Sequence, residues 1–305
     1  MTSQRLPSGC WAVLPTPFTG PELRICEPSV DALARHYRAV GAVGLTVLGV
    51  FGEAAALSPA ERSQMVELVA AASTGLPLVV GLSGGTTADA IEEAESALAA
   101  ADSALAGVMV KIGTADLSAF ARHIRALYEA TNVSVVIQDY PTATGVHVDA
   151  RELAALVRDQ GDIVAGVKAE AEPTAAAINV LTTKTDTPVF GGLGGVGLLD
   201  ELACGAAGSM TGFSFFEGLV STHAAYRRSG FAAARAVLSP WLPLANFEAQ
   251  KGIGLAVRKE LLLQRGLMTS AAVRPPAAEL PQYLRWLVQE HASEAGRLLA
   301  KGAHE

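Results

Sequence analysis

Short apolar runs alternate with stretches of helical periodicity along most of this chain of 305 residues. The runs are bounded by Gly, Pro or charged residues, as buried strands are, and each is followed by apolar residues at helical spacing. Such alternation predicts parallel strands joined by right-handed helical crossovers. Eight runs and eight helical stretches fall within residues 1–230. The predicted fold is therefore α/β, a closed (β/α)8 TIM barrel.

The strands are predicted at residues 11–14, 44–48, 77–81, 107–111, 134–138, 162–170, 188–191 and 208–211. The helices are predicted at residues 29–40, 58–74, 86–101, 117–131, 149–159, from 173 onward, 195–204 and 215–228. Ser58-Pro59-Ala60-Glu61 has the form of a capping box with proline at the first helical position, and Thr86 is a candidate cap. A doubly wound sheet is the competing arrangement, but no turn carries the Gly-x-Gly-x-x-Gly phosphate fingerprint.

No strand pattern returns beyond residue 230. Helical periodicity at residues 231–238, 247–264 and 281–299 predicts helices there instead. We therefore predict a barrel over residues 1–230 and a C-terminal helical extension over residues 231–305.

Charge and composition exclude several classes of partner. The net charge of −7 disfavours a nucleic-acid surface. Half of the residues are hydrophobic, but Gly, Ser and Thr interrupt every uncharged stretch, and none resembles a membrane span of about 20 apolar residues. Residues 1–8 carry no apolar signal core, so a cytoplasmic location is expected. The cysteines are odd in number and widely separated, and the histidines lack zinc-ligand spacing, so neither disulfides nor a metal site are predicted.

One predicted strand ends on a lysine and places a glutamate two residues later. Side chains alternate along a strand, so Lys168 and Glu170 are expected on the same side, with Cα atoms about 6.5 Å apart. Gly166 shares that side and is expected to leave room beside the amine. Burial penalises the ammonium form, and a neutral amine attacks carbonyl groups, so Lys168 is a candidate Schiff-base nucleophile. The alternative is a surface lysine that pairs with Glu170.

Glycine-rich and polar segments follow other predicted strands. They are Gly49-Val50-Phe51-Gly52-Glu53, Gln138-Asp139-Tyr140-Pro141 and Gly191-Gly192-Leu193-Gly194-Gly195. The carboxyl ends of barrel strands meet at one mouth, where active sites form. Backbone N–H groups of a glycine-rich turn can hold a carboxylate, which suits a 2-oxo acid bound beside a lysine.

These segments together resemble the dihydrodipicolinate synthase and N-acetylneuraminate lyase superfamily. The resemblance is carried by Gly49-Val50-Phe51-Gly52-Glu53, by Tyr140-Pro141 with Thr144-Gly145, and by Gly166-Val167-Lys168. Their order and spacing match across the barrel, and the helical tail is similar, so the resemblance covers nearly the whole chain. It implies a (β/α)8 barrel, a homotetramer, and a class I mechanism in which Lys168 forms an imine with the C2 carbonyl of a 2-oxo acid.

The chain also departs from that pattern. Members that make dihydrodipicolinate or cleave sialic acid carry a catalytic tyrosine at the position that Gln138 occupies here. Synthases also carry residues with hydroxyl groups at the positions of Val50 and Phe51. Glutamine cannot relay a proton as a phenol does. The segments Gln138–Pro141, Lys168-Ala169-Glu170 and Arg258-Lys259-Glu260 instead resemble the branch that contains L-2-keto-3-deoxyarabonate dehydratase. In that branch the glutamate after the lysine takes the acid/base role, which implies catalysis by Lys168, Glu170 and Gln138.

The predicted function is dehydration of a 2-keto-3-deoxy sugar acid through a Schiff base, giving 2-oxoglutarate semialdehyde, without a cofactor. The alternatives are an aldolase that releases pyruvate, a condensation like that of dihydrodipicolinate synthase, and a non-catalytic binding or scaffold barrel. Glu53 is interpreted as an anchor of its turn rather than as a catalytic group. The residues expected to bind substrate are Gly49, Val50, Phe51, Gly52, Tyr140 and Gly192.

Overall fold

A computed structural model of the chain describes residues 5–302. Residues 1–4 of the range predicted as the barrel and residues 303–305 of the predicted extension lie outside the described residues. The strands are β1 (Gly9–Val13), β2 (Phe18–Thr19), β3 (Arg24–Ile25), β4 (Gly44–Val47), β5 (Leu78–Gly81), β6 (Leu105–Lys111), β7 (Val135–Asp139), β8 (Val164–Ala169), β9 (Val189–Gly191) and β10 (Gly208–Thr211). Within residues 5–302, eight parallel strands close into a barrel in the order β1-β10-β9-β8-β7-β6-β5-β4, and β2 and β3 form a separate antiparallel pair. The predicted (β/α)8 TIM barrel is confirmed.

Helices surround this barrel. They are α1 (Glu27–Ala39), α2 (Pro59–Ser73), α3 (Thr87–Ala101), α4 (Leu117–Thr131), α5 (Pro141–Thr144), α6 (Ala150–Gln160), α7 (Thr174–Lys184), α8 (Leu198–Ala203), α9 (Phe216–Ser229), α10 (Phe231–Leu238), α11 (Leu242–Glu248), α12 (Gly254–Gln264) and α13 (Arg285–Gly302). The predicted capping box is confirmed: the Ser58 hydroxyl accepts from the Glu61 N–H, and the Glu61 carboxylate accepts from the Ser58 N–H. Thr86 caps α3 in the same way.

Two predicted helices differ from those observed. A single helix over residues 247–264 is wrong, because the chain turns between α11 and α12, where Gly252 has a φ of +86°. The helix predicted from residue 195 begins at Leu198, because Gly195 has a φ of +78°. Both φ values lie outside the right-handed helical region, and glycine adopts them without a steric penalty.

The inside of the barrel is filled by apolar side chains at its amino-terminal end. They include Trp11, Val79, Met109, Val136, Phe190 and Met210. Leu6 closes this end, and its N–H donates to the Ala165 carbonyl at 3.0 Å. A methyl group at Gly166 would lie 3.3 Å from Leu6 and 3.4 Å from Phe190. The expectation that Gly166 makes room beside the amine is therefore wrong, because these apolar side chains occupy that space.

The helices after the barrel pack against its carboxyl-terminal end. Lys259 on α12 forms a buried ion pair with Glu53 in the turn after β4. The second carboxylate oxygen of Glu53 accepts from the Arg274 N–H at 2.9 Å. The expected anchoring role of Glu53 agrees with this geometry, although its partners belong to the extension rather than to its own turn. None of the helices that the structure describes has the length and apolar character needed to cross a membrane.

Candidate active site

A cavity of about 570 Å³ opens at the carboxyl end of the barrel. Strand ends, the turn after β4, the segment after β9 and helices of the extension all contribute to its wall. The lining side chains that carry polar groups are Gln138, Tyr140, Thr142, Lys168, Glu170, Glu172, Thr174, Glu201, Thr211, Asn246, Lys251 and Arg258. The predicted convergence of these strand ends at one mouth therefore agrees with the structure.

Lys168 lies near the end of β8 with its amine at the cavity wall. Its side chain is buried, with the whole residue only 8% exposed. Parallel pairing of β7 with β8 places Gln138 directly beside Lys168 in register. The Lys168 Nζ lies 3.1 Å from Glu170 Oε2, so both side chains project to the same side, as the alternation along a strand requires. The alternative of a surface lysine does not agree with this burial.

Glu170 follows β8 and is held at both carboxylate oxygens. Gln138 Nε2 donates to Glu170 Oε2 at 2.6 Å, so the glutamine amide and the lysine amine contact the same oxygen. The Leu193 N–H donates to Oε1 at 3.3 Å. The Glu170 N–H donates to the Asp139 carbonyl at 2.8 Å and continues the pairing of the two strands. These bonds leave the carboxylate few orientations other than the one beside the amine.

The glycines after β9 provide space for carboxyl groups. A methyl group at Gly192 would lie 2.1 Å from Glu170 Oε1. Gly192 is not among the lining residues of the cavity, whereas Leu193 and Gly194 are. The Gly194 N–H donates to the Thr211 hydroxyl at 2.9 Å, so this segment's N–H groups largely bond to the protein itself. The structure places Gly192 against Glu170, and its contact with substrate stays a prediction.

The turn after β4 places two of its four predicted substrate-binding residues at the cavity. Val50 and Phe51 line it, whereas Gly49 and Gly52 do not. The turn is closed by the Gly52 N–H bonding to the Gly49 carbonyl at 2.8 Å, and the Thr16 hydroxyl donates to the Gly52 carbonyl at 2.6 Å. The N–H groups of Val50 and Phe51 take no part in closing the turn, as is usual at the start of a helical turn. They are therefore suited to binding a carboxylate.

Tyr140 and Asp139 follow β7 and occupy different places. Tyr140 lines the cavity, and burial together with the nearby charge of Glu170 raises the pKa of its hydroxyl. It therefore stays protonated and can donate a hydrogen bond to a ligand. Asp139 is buried outside the cavity lining, and burial raises its pKa to about 6, which the neighbouring Glu170 charge supports and His147 opposes.

Sequence reasoning missed a second buried carboxyl group at the cavity. Glu201 on α8 is 1% exposed, and its Oε1 accepts from the Thr174 hydroxyl at 2.8 Å. Burial, with smaller contributions from the charges of Glu170 and Asp200, raises the pKa of this carboxyl to about 7, and the Thr174 hydrogen bond opposes the shift. A methyl group at Gly191 would lie 1.7 Å from Oε2. The sequence carried a weak sign of this burial, because Leu198 and Leu202 are spaced four residues apart and Glu201 lies on the same face of α8.

Sequence reasoning also assigned no role to Arg258, which lines the cavity from α12. It is completely buried, and its Nε donates to Glu248 Oε2 at 3.1 Å. The sequence did indicate that these residues are unusual, because Arg258-Lys259-Glu260 is a run of charged residues inside an otherwise apolar stretch of helix.

Three other lysines, Lys111, Lys184 and Lys251, could act as nucleophiles by residue type. Lys111 lines a separate groove with Gly113 and His123. Lys184 is exposed, and Lys251 is an exposed residue at the cavity wall. Among residues 5–302, no group of three or more His, Cys, Asp or Glu side chains is arranged to bind a metal ion. Lys168 is therefore the buried lysine at this cavity that lies beside a carboxylate.

Comparisons with known proteins agree with this architecture. The model of the Dihydrodipicolinate synthetase family matches residues 6–294. L-2-keto-3-deoxyarabonate dehydratase of Azospirillum brasilense is 27% identical over an alignment that covers 100% of both chains. The structure of dihydrodipicolinate synthase from Rhodopseudomonas palustris has 30% identity and a TM-score of 0.88, and covers 96% of this chain and 100% of that one.

A more distant structure shares the fold alone. The sialic acid aldolase of Ruminococcus gnavus has 21% identity and a TM-score of 0.83, with 96% of this chain and 98% of that chain covered. The family model, in contrast, spans the whole barrel and most of the helices that follow it. The chain therefore belongs to the dihydrodipicolinate synthetase family, a family of lyases.

Proposed function

We propose that this protein dehydrates a 2-keto-3-deoxy sugar acid through a Schiff base at Lys168, giving 2-oxoglutarate semialdehyde from 2-keto-3-deoxyarabonate. The observation that carries the proposal is the contact of the Lys168 amine and the Gln138 amide with one oxygen of Glu170. The arrangement supplies a nucleophile and an acid/base group in a cavity, with an amide in place of a phenol. The likeness to the Azospirillum brasilense dehydratase over its full length supports this choice.

The first step is attack of the Lys168 amine on the C2 carbonyl. Glu170, 3.1 Å from Nζ, accepts a proton from the ammonium and so produces the nucleophilic amine. Addition to C2, followed by departure of the C2 oxygen as water with the proton held by Glu170, forms the protonated imine and restores the Glu170 carboxylate. The protonated imine withdraws electrons from C2 and acidifies the hydrogens on C3.

The second step removes the C4 hydroxyl. Glu170 takes a proton from C3, and the C3–H electron pair forms the enamine. The C4–O bond then breaks with its electron pair on oxygen, and the proton held by Glu170 is returned to that oxygen, so that water leaves. Tautomerisation converts the C5 hydroxymethyl group to an aldehyde, and hydrolysis of the imine frees Lys168. The net change is the loss of one water.

Gln138 has a positioning role in this mechanism. An amide donates a hydrogen bond but does not ionise near neutral pH, so Gln138 orients the carboxylate without competing for its proton. Tyr140 stays protonated and is suited to donate a hydrogen bond to a hydroxyl of the substrate. Val50 and Phe51 offer backbone N–H groups for the substrate carboxylate.

Reductive trapping tests the imine. We expect pyruvate with cyanoborohydride to add to Lys168, located by mass spectrometry of peptides, and Lys251 at the cavity wall provides an internal control. Glu170→Gln should still be trapped, although more slowly because water must then take the ammonium proton, and it should lose turnover of the sugar acid because the amide cannot move the C3 proton. An unmodified Lys168 at saturating pyruvate would contradict the proposal and favour a binding or scaffold barrel.

A substrate panel tests the reaction type. We expect C5 and C6 2-keto-3-deoxy sugar acids to lose water with the carbon chain intact. Release of pyruvate instead would identify an aldolase, and formation of a heterocycle from pyruvate and an amino aldehyde would identify a synthase. The homotetramer implied by the family resemblance stays a prediction, which sedimentation of the protein tests.

A further inference from the structure

The guanidinium of Arg258 is a charged group at the cavity that the mechanism above does not use. Arg258 lies on α12 and is 0% exposed. It is held between two cavity-lining residues: the Phe51 ring, whose centroid is 3.8 Å from Cζ, and Gly212 after β10. A methyl group at Gly212 would lie 2.2 Å from Nη1. Glycine at this position is therefore needed for the guanidinium to reach the cavity wall.

The protein provides a hydrogen-bond acceptor for only part of this guanidinium. Glu248 is itself completely buried, accepts from Arg258 Nε at 3.1 Å, and also accepts from the N–H and the hydroxyl of Ser214. Within the described part of the chain, neither Nη1 nor Nη2 of Arg258 has a hydrogen-bond partner. Charged donors that are buried without acceptors are costly to the folded protein. Glu248 therefore fixes the side chain, and the two terminal nitrogens, which have almost no solvent-exposed surface, remain without a protein acceptor at the cavity wall.

The chemistry of these nitrogens indicates the ligand group. Two terminal N–H donors of a guanidinium match the two oxygens of a carboxylate in a bidentate pair. Phe51, against which the guanidinium stacks, belongs to the turn whose free N–H groups are suited to a carboxylate. Val50 and Phe51 have apolar side chains, so these two residues add no side-chain donor for that carboxylate. The guanidinium of Arg258, stacked on Phe51, can supply further donors.

We propose that Arg258 binds the C1 carboxylate of the 2-oxo acid and thereby makes the cavity selective for acids over simple ketones. This proposal rests on the proposed function, because the carboxylate is the one next to the carbon bound by Lys168. Arg258 is thus a specificity-determining residue from the C-terminal extension, and the extension is part of the site. A carboxylate paired with the terminal nitrogens would satisfy the donors that the protein leaves free.

The test compares the trapping of pyruvate with that of hydroxyacetone, a ketone without a carboxylate. Because Arg258→Met alone would leave Glu248 buried and unpaired, the informative variant is Arg258→Met with Glu248→Gln. Glu248→Gln alone isolates the effect of the second change. Cyanoborohydride trapping at Lys168, followed over a range of ligand concentrations, gives the concentration of half-maximal labelling for each ligand. Thermal unfolding verifies that each variant is folded.

We expect the double variant to need about 10- to 100-fold more pyruvate than Glu248→Gln, since a charge-assisted bidentate pair is lost. Trapping of hydroxyacetone should not change between the two variants. Equal pyruvate dependence in both variants would overturn the role of Arg258 and leave the imine at Lys168 intact. An equal loss for both ligands would also overturn it, because Arg258 would then act through the fold. Failure of the wild-type protein to trap pyruvate would remove the proposed function and this proposal with it.

Discussion

Replacement of Glu201 by glutamine should change the pH dependence of stability. In the native protein burial raises the pKa of this carboxyl from 4.5 to about 7, whereas in the unfolded chain it titrates near its ordinary value. The protonated carboxyl therefore contributes stability that is fully present below about pH 4.5 and is lost as the pH rises through about 7. A pKa difference of roughly 2.5 corresponds to about 3 kcal/mol at most. Glutamine does not ionise, so the Glu201→Gln variant should not lose this stability as the pH rises.

Differential scanning calorimetry at about pH 4.5 and about pH 8.5 measures the effect. An unfolding entropy of about 2.1 cal/mol/K per residue gives about 0.6 kcal/mol/K for this chain, so 3 kcal/mol corresponds to roughly 5 °C in Tm. When the pH is raised from about 4.5 to about 8.5, the Tm of Glu201→Gln should increase by roughly 5 °C relative to the Tm of wild type. The control is Asp200→Asn, a change of the exposed carboxylate beside it.

The outcome that refutes the reasoning is a constant difference in Tm between Glu201→Gln and wild type at both pH values. It would mean that the carboxyl of Glu201 titrates alike in the native and unfolded states. A pH-dependent difference of the same size in Asp200→Asn would assign the effect to the charge of the helix rather than to the buried group.

Two further substitutions test the geometry around the site. Gly192→Ala should lower turnover by about 100-fold with little change in Tm, because the new methyl group displaces the Glu170 carboxylate by about 1 Å. The control is Gly113→Ala, where a methyl group meets open space. Equal turnover of the two variants would contradict the prediction. Lys259→Met should destabilise the protein by about 3–5 kcal/mol in denaturant unfolding, because it leaves Glu53 charged and buried. Adding Glu53→Gln should recover part of that loss, and no recovery would mean that the ion pair is not its cause.

The barrel could be predicted because its elements depend on local patterns. Short β-rich apolar runs favour strands, and helices between them require parallel pairing. The relation of Lys168 to Glu170 also followed from the sequence, since alternation along a strand is a local property. The position of Gln138 beside Lys168 could be anticipated only as two strand ends at one mouth, because register depends on how β7 and β8 pair.

The boundaries of the elements after the barrel were predicted less accurately. The chain between α11 and the start of α12 contains Gln250-Lys251-Gly252-Ile253-Gly254, with two glycines and no apolar run. Glycines this close together indicate a break, and Gly252 has a positive φ there. The prediction of one long helix therefore gave these glycines too little weight.

The sequence by itself determined the barrel, the mouth at its carboxyl end, and the lysine with its glutamate, because all of these follow from short-range periodicity. The tertiary structure alone decided which distant groups join them. Glu201 and Arg258 reach the cavity because glycines at positions 191 and 212 leave space for their side chains. That space depends on atoms far apart in the chain, and no local pattern specifies it.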